Sequence, residues 1–323
     1  MITICVVLAI FVGLVSWNLA ALAAVEREYP PEGVRVGVFD TKVSVFTAGQ
    51  RQKDRPAIVF LSGLATPSPV ADFYPLWSRL CGDYFVVVLE RPGYGWSRQT
   101  ERERTLENIV EEDRLALDKL GIAPPYVFAA HSMGGIEAHY YAERYSEEVE
   151  GLVFIDSMSP ALMLHYGDTP VSLLDKAVHP LRLFGLLRLI YTAAPKTVLD
   201  RLEQGRNGRE YMSEYYKQVE EIALLKTYQS PAMLEEKELR LQNAAAANEV
   251  VLPTGIPATL IVSVTDDVDR DSTQFAEYMD FQQLWMAQSL DGEIVFVDGG
   301  HYVHQYSPDE VCGTIRDMME KAG

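Results

Sequence analysis

A serine at position 132 stands where a short apolar strand is expected to turn into a helix. Residues 126–135 read YVFAAHSMGG, an apolar run followed by a serine and two glycines. A sharp strand-to-helix bend exposes the serine hydroxyl and directs the free amides of the following helix toward it. The small side chains of Ala130 and Gly134 let neighbouring chain approach. The stretch therefore predicts a nucleophile beside a site for an oxyanion.

A serine hydroxyl needs a base to take its proton and a carboxylate to orient that base. His301 follows the last predicted strand, directly after two glycines, and aspartates follow two other predicted strands. His304 is a competing histidine, but it lacks the preceding glycines, and we expect it to pack or to face solvent. The residue types are those of a serine, histidine and aspartate hydrolytic site.

The elements that must position these groups alternate between strands and helices. Continuous apolar runs predict buried parallel strands, and amphipathic stretches between them predict helices on both faces of the sheet. Alternating valines near the N-terminus predict a hairpin of half-exposed strands. The predicted buried strands are 57–61, 84–89, the first part of the run 126–135, 151–155, 258–264 and 294–297.

Three motifs resemble those of the α/β-hydrolase superfamily. The serine turn resembles its Gly-x-Ser-x-Gly elbow, with Ala130 in place of the first glycine. The loop RPGYGWS at 91–97 resembles its Arg-x-Gly-x-Gly-x-Ser signature, and residues 62–64 resemble its His-Gly-x strand end, with Ser62 in place of the histidine. The resemblance implies a mostly parallel, twisted α/β sheet with helices on both faces. It also implies an oxyanion hole built from the backbone amides of Leu64 and Met133.

The resemblance further implies a chain order of nucleophile, acid and histidine. It points to Ser132 as nucleophile and to His301 as base. The family pattern of a glycine three residues before the acid selects Asp267, although a valine stands at that glycine. Asp266 and Asp156 stay open as alternative acids, the latter because some relatives carry the acid after an earlier strand.

The implied reaction is attack of the serine on a carbonyl, followed by hydrolysis of an acyl-enzyme. The resemblance favours a carboxylesterase or lipase acting on a small-molecule or lipid-like acyl ester. Hydrolysis of amides, prolyl peptides, lactones or carbon–carbon bonds remains open, as does a ligand-binding protein without turnover. A serine at the elbow argues against the dehalogenase and epoxide-hydrolase branches, which place an aspartate there.

The alternation of predicted strands and helices stops after Asp156 and resumes near residue 254. Residues 157–253 are predicted to form a helical cap inserted into a core made of residues 26–156 and 254–323. An insertion at this point lies over the carboxyl ends of the strands, where open α/β sheets bind ligands. The apolar residues between 181 and 191 could pack, line a pocket or lie against a membrane.

Residues 1–25 are almost entirely apolar and are long enough to cross a bilayer as a helix. Two interpretations compete: a retained membrane anchor with an extracytoplasmic soluble domain, or a signal peptide that is cleaved before secretion. No lysine or arginine precedes the apolar run, which favours the anchor.

Composition excludes several classes of function. The 323-residue chain carries a net charge of −18, which argues against nucleic acid as a partner. Its three cysteines are far apart, and no zinc spacing, phosphate-binding loop or dinucleotide fingerprint occurs. We therefore expect neither a cofactor nor a metal.

Overall fold

The computed structural model describes residues 2–53, 55–167, 170–195 and 209–322. Its centre is an eight-stranded sheet in the order β1-β2-β4-β3-β5-β6-β7-β8. The first two strands pair antiparallel and β2 pairs antiparallel with β4, whereas all later neighbours are parallel. The strands are β1 Val34–Val38, β2 Thr41–Ala48, β3 Ala57–Leu61, β4 Val86–Glu90, β5 Tyr126–His131, β6 Val149–Ile155, β7 Ala258–Val264 and β8 Gly292–Asp298.

The central strands are apolar because both of their faces are covered by helices. Every residue of β3, β4 and β5 is buried, as their uninterrupted apolar runs predict. Two hydrophobic clusters form, one on each face of the sheet. The predicted mostly parallel α/β sheet, with its N-terminal apolar helix, is confirmed.

Fourteen α-helices accompany the sheet in the described part of the chain. We number them in chain order. They are α1 Ile2–Glu28, α2 Pro69–Asp72, α3 Tyr74–Leu80, α4 Leu106–Lys119, α5 Gly134–Arg144, α6 Pro160–Tyr166, α7 Leu173–Leu183, α8 Leu186–Ala193, α9 Glu214–Lys226, α10 Pro231–Glu238, α11 Arg240–Asn248, α12 Thr273–Met286, α13 Val303–Tyr306 and α14 Pro308–Lys321.

Helix α1 is long and apolar enough to cross a membrane. Its stretch Thr3–Glu28 has a mean hydropathy of 2.3, and most of its apolar side chains are exposed. The C-terminal part of α1 meets the rest of the protein through polar contacts, including an ion pair of 2.9 Å between Glu26 and Lys226.

Helices α6 to α11 lie between β6 and β7, where the sequence predicts the cap. They contact the loops that follow β3 and β4: Thr227 Oγ1 donates to the carbonyl of Pro67 (3.1 Å), and Tyr94 donates to the carboxylate of Glu236 (2.5 Å). The insertion therefore contacts the carboxyl-end side of the sheet. Its division from the core at residues 157 and 253 stays a prediction, and residues 168–169 and 196–208 lie outside the described ranges.

The loop that carries His301 is held at the start of the last helix. Helix α14 begins at Pro308, and Ser307, which precedes it, forms no side-chain cap. Its hydroxyl instead donates to the carbonyl of Asp298 at 2.6 Å, which fixes the loop that carries His301 to the end of β8. A one-turn helix, α13, interrupts that loop.

Candidate active site

Ser132 lies at a strained turn between β5 and α5. Its φ is +52°, a left-handed conformation that is unfavourable for a residue with a side chain. Two backbone hydrogen bonds hold the turn, from Ser132 N to the carbonyl of Ile155 (3.1 Å) and from Gly135 N to the carbonyl of Ser132 (3.0 Å). A Cβ on Gly134 would lie 2.5 Å from the carbonyl oxygen of Leu61, so only glycine fits there.

The imidazole of His301 lies beside this serine. The distance between His301 Nε2 and Ser132 Oγ is 3.1 Å, within hydrogen-bonding reach. Gly299, which has a φ of +147°, helps the chain turn after β8. The His301 side chain is 49% exposed, so one side of the imidazole stays open to solvent. The structure thus brings together two residues that are 169 positions apart.

The carboxylate that contacts His301 belongs to Asp156. Asp156 Oδ2 lies 2.7 Å from His301 Nδ1, and its Oδ1 accepts a hydrogen bond from the amide of Ser263 at 2.8 Å. Asp156 follows β6, the strand next to β5 in the sheet, and its own φ is +46°. Because a carboxylate can only accept, this contact places the proton of a neutral His301 on Nδ1 and leaves Nε2 as the acceptor for Ser132.

The aspartate that contacts His301 is not the one that the sequence pattern selects. Asp267 is exposed, and its carboxylate accepts a hydrogen bond from the Thr265 hydroxyl, which lowers the pKa of Asp267. Asp266 is exposed beside it. Both follow β7, one strand further from β5, whereas the turn after β6 directs Asp156 to His301. The missing glycine before Asp267 was the signal in the sequence that could have favoured Asp156.

Gly63 brings the loop after β3 against the serine. A Cβ added to Gly63 would lie 3.1 Å from Ser132 Cβ and 3.0 Å from His131 Nδ1. Leu64 follows this glycine and Met133 follows the serine, so both residues adjoin the nucleophile. Their amides as oxyanion donors remain a prediction.

The comparisons with known proteins agree with this architecture. The model of the alpha/beta hydrolase family matches residues 58–314, a range that contains Ser132, Asp156 and His301. The chain belongs to that family.

Relatives of the hydrolase cover nearly its whole length. The uncharacterized protein YbdG of Bacillus subtilis is 25% identical over 291 residues, which span 90% of this chain and 86% of that protein. Among solved structures, Cfl2 of Burkholderia cenocepacia has a TM-score of 0.64 at 17% identity, covering 88% of this chain and 94% of that one. A thermophilic esterase of Thermogutta terrifontis has a TM-score of 0.62 at 16% identity, covering 90% and 98%. At these identities the two structures show the shared fold.

A buried arginine holds the loop that precedes Leu64. The guanidinium of Arg91 donates to the carbonyls of Ser62 (2.9 Å) and Gly63 (3.3 Å). It also pairs with Glu137 of α5 at 2.8 Å and with Glu236 of α10 at 3.3 Å. Burial alone would lower the pKa of Arg91, but the two carboxylates raise it well above its ordinary value. One cation therefore ties this loop to the helix after the nucleophile and to the insertion.

A small cavity lies beside these groups. Its volume of about 20 Å³ is sufficient for one water molecule. Its lining includes Leu64 and Met133 together with Arg91 and both of its carboxylate partners.

Sequence reasoning missed a second buried cluster beneath the site. His304 Nε2 lies 3.1 Å from Asp72 Oδ2, and Gln305 donates to Asp72 Oδ1 at 2.7 Å. His131 Nε2 donates to the backbone carbonyl of His301 at 2.9 Å, and its ring lies 4.5 Å from that of His304. His304, which we expected to pack or to face solvent, is buried. No sequence signal links Asp72 to residues more than 230 positions away.

Three residues of this cluster are of types that can bind a metal ion, and they lie close together. One potential ligand atom from each of Asp72, His131 and His304 lies within 4.8 Å of the others. The hydrogen bonds above account for Asp72 and for one nitrogen of each histidine. We therefore interpret the cluster as support for the backbone of His301.

Proposed function

We propose that this hydrolase is a serine hydrolase that cleaves acyl esters. Ser132 is the nucleophile, His301 the base and Asp156 the acid in this proposal. The supporting observation is the unbroken path from Ser132 Oγ through the imidazole to Asp156, with distances of 3.1 and 2.7 Å. This is the arrangement that makes a serine hydroxyl nucleophilic near neutral pH.

The reaction follows from the positions of these atoms. Ser132 Oγ attacks the ester carbonyl carbon while its proton passes to His301 Nε2. Asp156 stabilises the imidazolium that forms, and the Ser263 amide holds this carboxylate in place. The tetrahedral oxyanion accepts hydrogen bonds from the amides proposed for the oxyanion hole.

The later steps of the reaction release both products and regenerate the free enzyme. His301 returns the proton to the departing alkoxide, which leaves as an alcohol, and the acyl group stays on Ser132. A water molecule then gives a proton to His301 and attacks the acyl carbon. Collapse of that intermediate releases the carboxylic acid, and the serine recovers its proton.

The solvent exposure of His301 is compatible with an ester substrate. The exposed side of His301 gives the leaving group access to solvent, which suits alcohols of varied size. The substrate class proposed is a small-molecule or lipid-like acyl ester. The same triad chemistry can act on amides, lactones or carbon–carbon bonds, and a substrate panel separates these activities.

We also propose that α1 is retained as an anchor that holds the folded domain on the outer side of a membrane. Support comes from its apolar length and from Asn18, whose side chain is buried against the insertion. The intact mass of protein recovered from membranes tests this proposal: loss of the first 20 to 25 residues, roughly the length of a signal peptide, would contradict it.

A fluorophosphonate probe tests the nucleophile. Wild-type protein should be labelled, Ser132→Ala should not, and Ser78→Ala, a serine on α3 that donates to the carbonyl of Tyr74, should be labelled like wild type. Absence of labelling in folded wild-type protein would instead favour a ligand-binding protein without turnover. Matched ester, amide and lactone substrates then identify the bond that is cleaved.

A further inference from the structure

Helices α7 and α8 form an apolar surface that the core leaves uncovered. We call residues 173–193 the α7–α8 hairpin. Its exposed apolar side chains range from 37% exposure at Leu186 to 88% at Leu173. A cluster of large exposed apolar residues on one element marks an interaction surface. The exposed residues include Leu173, Leu183, Phe184, Leu186, Leu189 and Ile190.

The charge of this segment is opposite to that of the whole chain. The protein has 46 acidic residues and a net charge of −18, whereas the hairpin contains a single acid, Asp175, against three cations. Its cations are Lys176, which pairs with Glu238 at 2.8 Å, Arg182, which is buried, and Arg188, which donates to Asn18. Exposed apolar side chains with an excess of cations over acids are typical of elements that lie in a bilayer interface containing anionic lipids.

Direct contacts join the hairpin to α1. The ring of Phe184 lies 5.0 Å from that of Phe11. Asn18 donates to the carbonyl of Arg182 at 3.1 Å and accepts from Arg188 Nε at 2.8 Å. Gly185, with a φ of +77°, permits this approach, since a Cβ there would lie 2.8 Å from Asn18 Cβ. The apolar surfaces of α1 and the hairpin are therefore continuous.

These contacts determine how deep the hairpin lies if α1 crosses a membrane. About 20 residues of helix cross the hydrocarbon of a bilayer, so a span that starts at Ile2 contains both Phe11 and Asn18. Phe184 and Gly185 contact those two residues and must reach the bilayer with them. An asparagine in hydrocarbon is unfavourable without hydrogen-bond partners, and the hairpin supplies them.

We propose that the α7–α8 hairpin inserts its apolar face into the lipid bilayer beside α1. This inference rests on the proposed anchoring of α1 and deepens it, because the insertion becomes a membrane-contacting element. Lipid is the occupant that the contacts with α1 favour, because an α1 that crosses the membrane carries the hairpin into the bilayer, where its exposed leucines match the acyl chains.

A chain of contacts connects this surface to the candidate active site. Asp175 in α7 pairs with Lys237 of α10 at 2.7 Å, and the adjacent Glu236 pairs with Arg91. Arg91 in turn donates to the carbonyls of the loop that precedes Leu64. A hairpin in the bilayer would therefore place the site near esters dissolved in the membrane.

Spin labels on the full-length chain in phosphatidylcholine/phosphatidylglycerol vesicles test the proposal. The native cysteines are first replaced (Cys5→Ser, Cys81→Ser, Cys312→Ala). Single labels are then placed by Leu189→Cys in the hairpin, Leu8→Cys in α1 and Leu290→Cys as a control. Leu290 is 83% exposed and precedes β8, at the amino ends of the parallel strands. The measurement is collision of each label with oxygen, which concentrates in lipid, and with a water-soluble nickel chelate.

We expect labels at 8 and 189 to favour oxygen and the label at 290 to favour the nickel chelate. If 189 behaves like 290 while 8 favours oxygen, the hairpin inference is wrong and the anchor stands. If 8 also favours the nickel chelate, both membrane proposals are wrong. Labelling of Ser132 by the fluorophosphonate depends on neither outcome, so the hydrolase proposal is tested separately.

A second variant tests the hairpin without labels. Leu186→Ser, Leu189→Ser and Ile190→Ser in one chain remove exposed apolar side chains, so folding should be preserved. We expect a several-fold lower rate on a long-chain ester dissolved in the vesicles and an unchanged rate on a soluble short-chain ester. Equal rates for wild type and variant on the vesicle-bound ester would contradict the inference.

Discussion

Asp156 and His301 face each other across the end of the sheet, with Oδ2 2.7 Å from Nδ1. Asp156 lies in the turn after β6, and His301 lies in the loop after β8. Asp156 also has a φ of +46°, close to the +52° of Ser132, so two neighbouring strands end in the same unusual backbone conformation. The sheet thereby holds Ser132 and Asp156 in a fixed relation, and His301 bridges them.

Replacing Asp156 by asparagine should reduce kcat by about a thousandfold or more. The amide would allow the wrong tautomer of His301 and could not stabilise its charged form. Steady-state hydrolysis of a chromogenic ester measures the effect. Asp267→Asn is the matched control, and we expect it to stay within about twofold of wild type because its partner is Thr265. A loss in Asp267→Asn that equals the loss in Asp156→Asn would contradict this assignment.

Gly63→Ala should reduce activity by about tenfold to a hundredfold. The added Cβ would lie 3.1 Å from Ser132 Cβ, and a displacement of a few tenths of an ångström would misplace the nucleophile and the amide of Leu64. The rate of fluorophosphonate labelling and kcat/KM both measure it. Gly82→Ala is the matched control, since nothing lies within 4 Å of its Cβ position. Unchanged labelling of Gly63→Ala would show that the loop accommodates the methyl group.

Arg91→Lys should lower kcat by about tenfold with a smaller change in KM. Lysine keeps the positive charge between Glu137 and Glu236 but cannot reproduce the planar set of donors that reaches both Ser62 and Gly63. The split between kcat and KM distinguishes a misplaced oxyanion loop from lost substrate binding.

The control for Arg91 is a substitution of the same type in an exposed ion pair. Arg144→Lys at the pair with Glu107 should leave activity unchanged and stability within about 0.5 kcal/mol. If Arg91→Lys matched this control in kcat, the arginine would have no positioning role.

Glu90 should make stability depend on pH. Burial raises the pKa of Glu90 to about 7, against an ordinary value of 4.5. Because the folded-state pKa is raised, its contribution to stability is present below about pH 4.5 and is lost as the pH rises through 7. Glu90→Gln keeps an acceptor for the amide of Trp96 but cannot ionise, so the variant should gain up to about 3 kcal/mol over wild type by pH 8.

Denaturant unfolding of wild type and variant from about pH 4 to about pH 8, a range that brackets the ordinary pKa of 4.5 and the raised pKa of about 7, measures this difference. Glu147→Gln, at an exposed carboxylate, is the control for removal of one charge. A difference between wild type and Glu90→Gln that stays constant over this range would contradict the prediction.

The fold was predictable because its signals are local. Uninterrupted apolar runs mark β3 to β5, and the serine turn carries its own glycines. Which aspartate contacts His301 was not predictable in the same way, because three aspartates follow strands and the direction of each side chain depends on how its strand ends. The Asp72 cluster and the pairing of Glu236 with Arg91 join distant segments and leave no pattern in either one.

The loop that follows β7 takes no part in holding His301, since the carboxylate comes from β6. Residues 265–271 are all exposed on the surface of the fold. This segment is therefore a suitable place to insert a purification tag or a fluorescent reporter without disturbing catalysis.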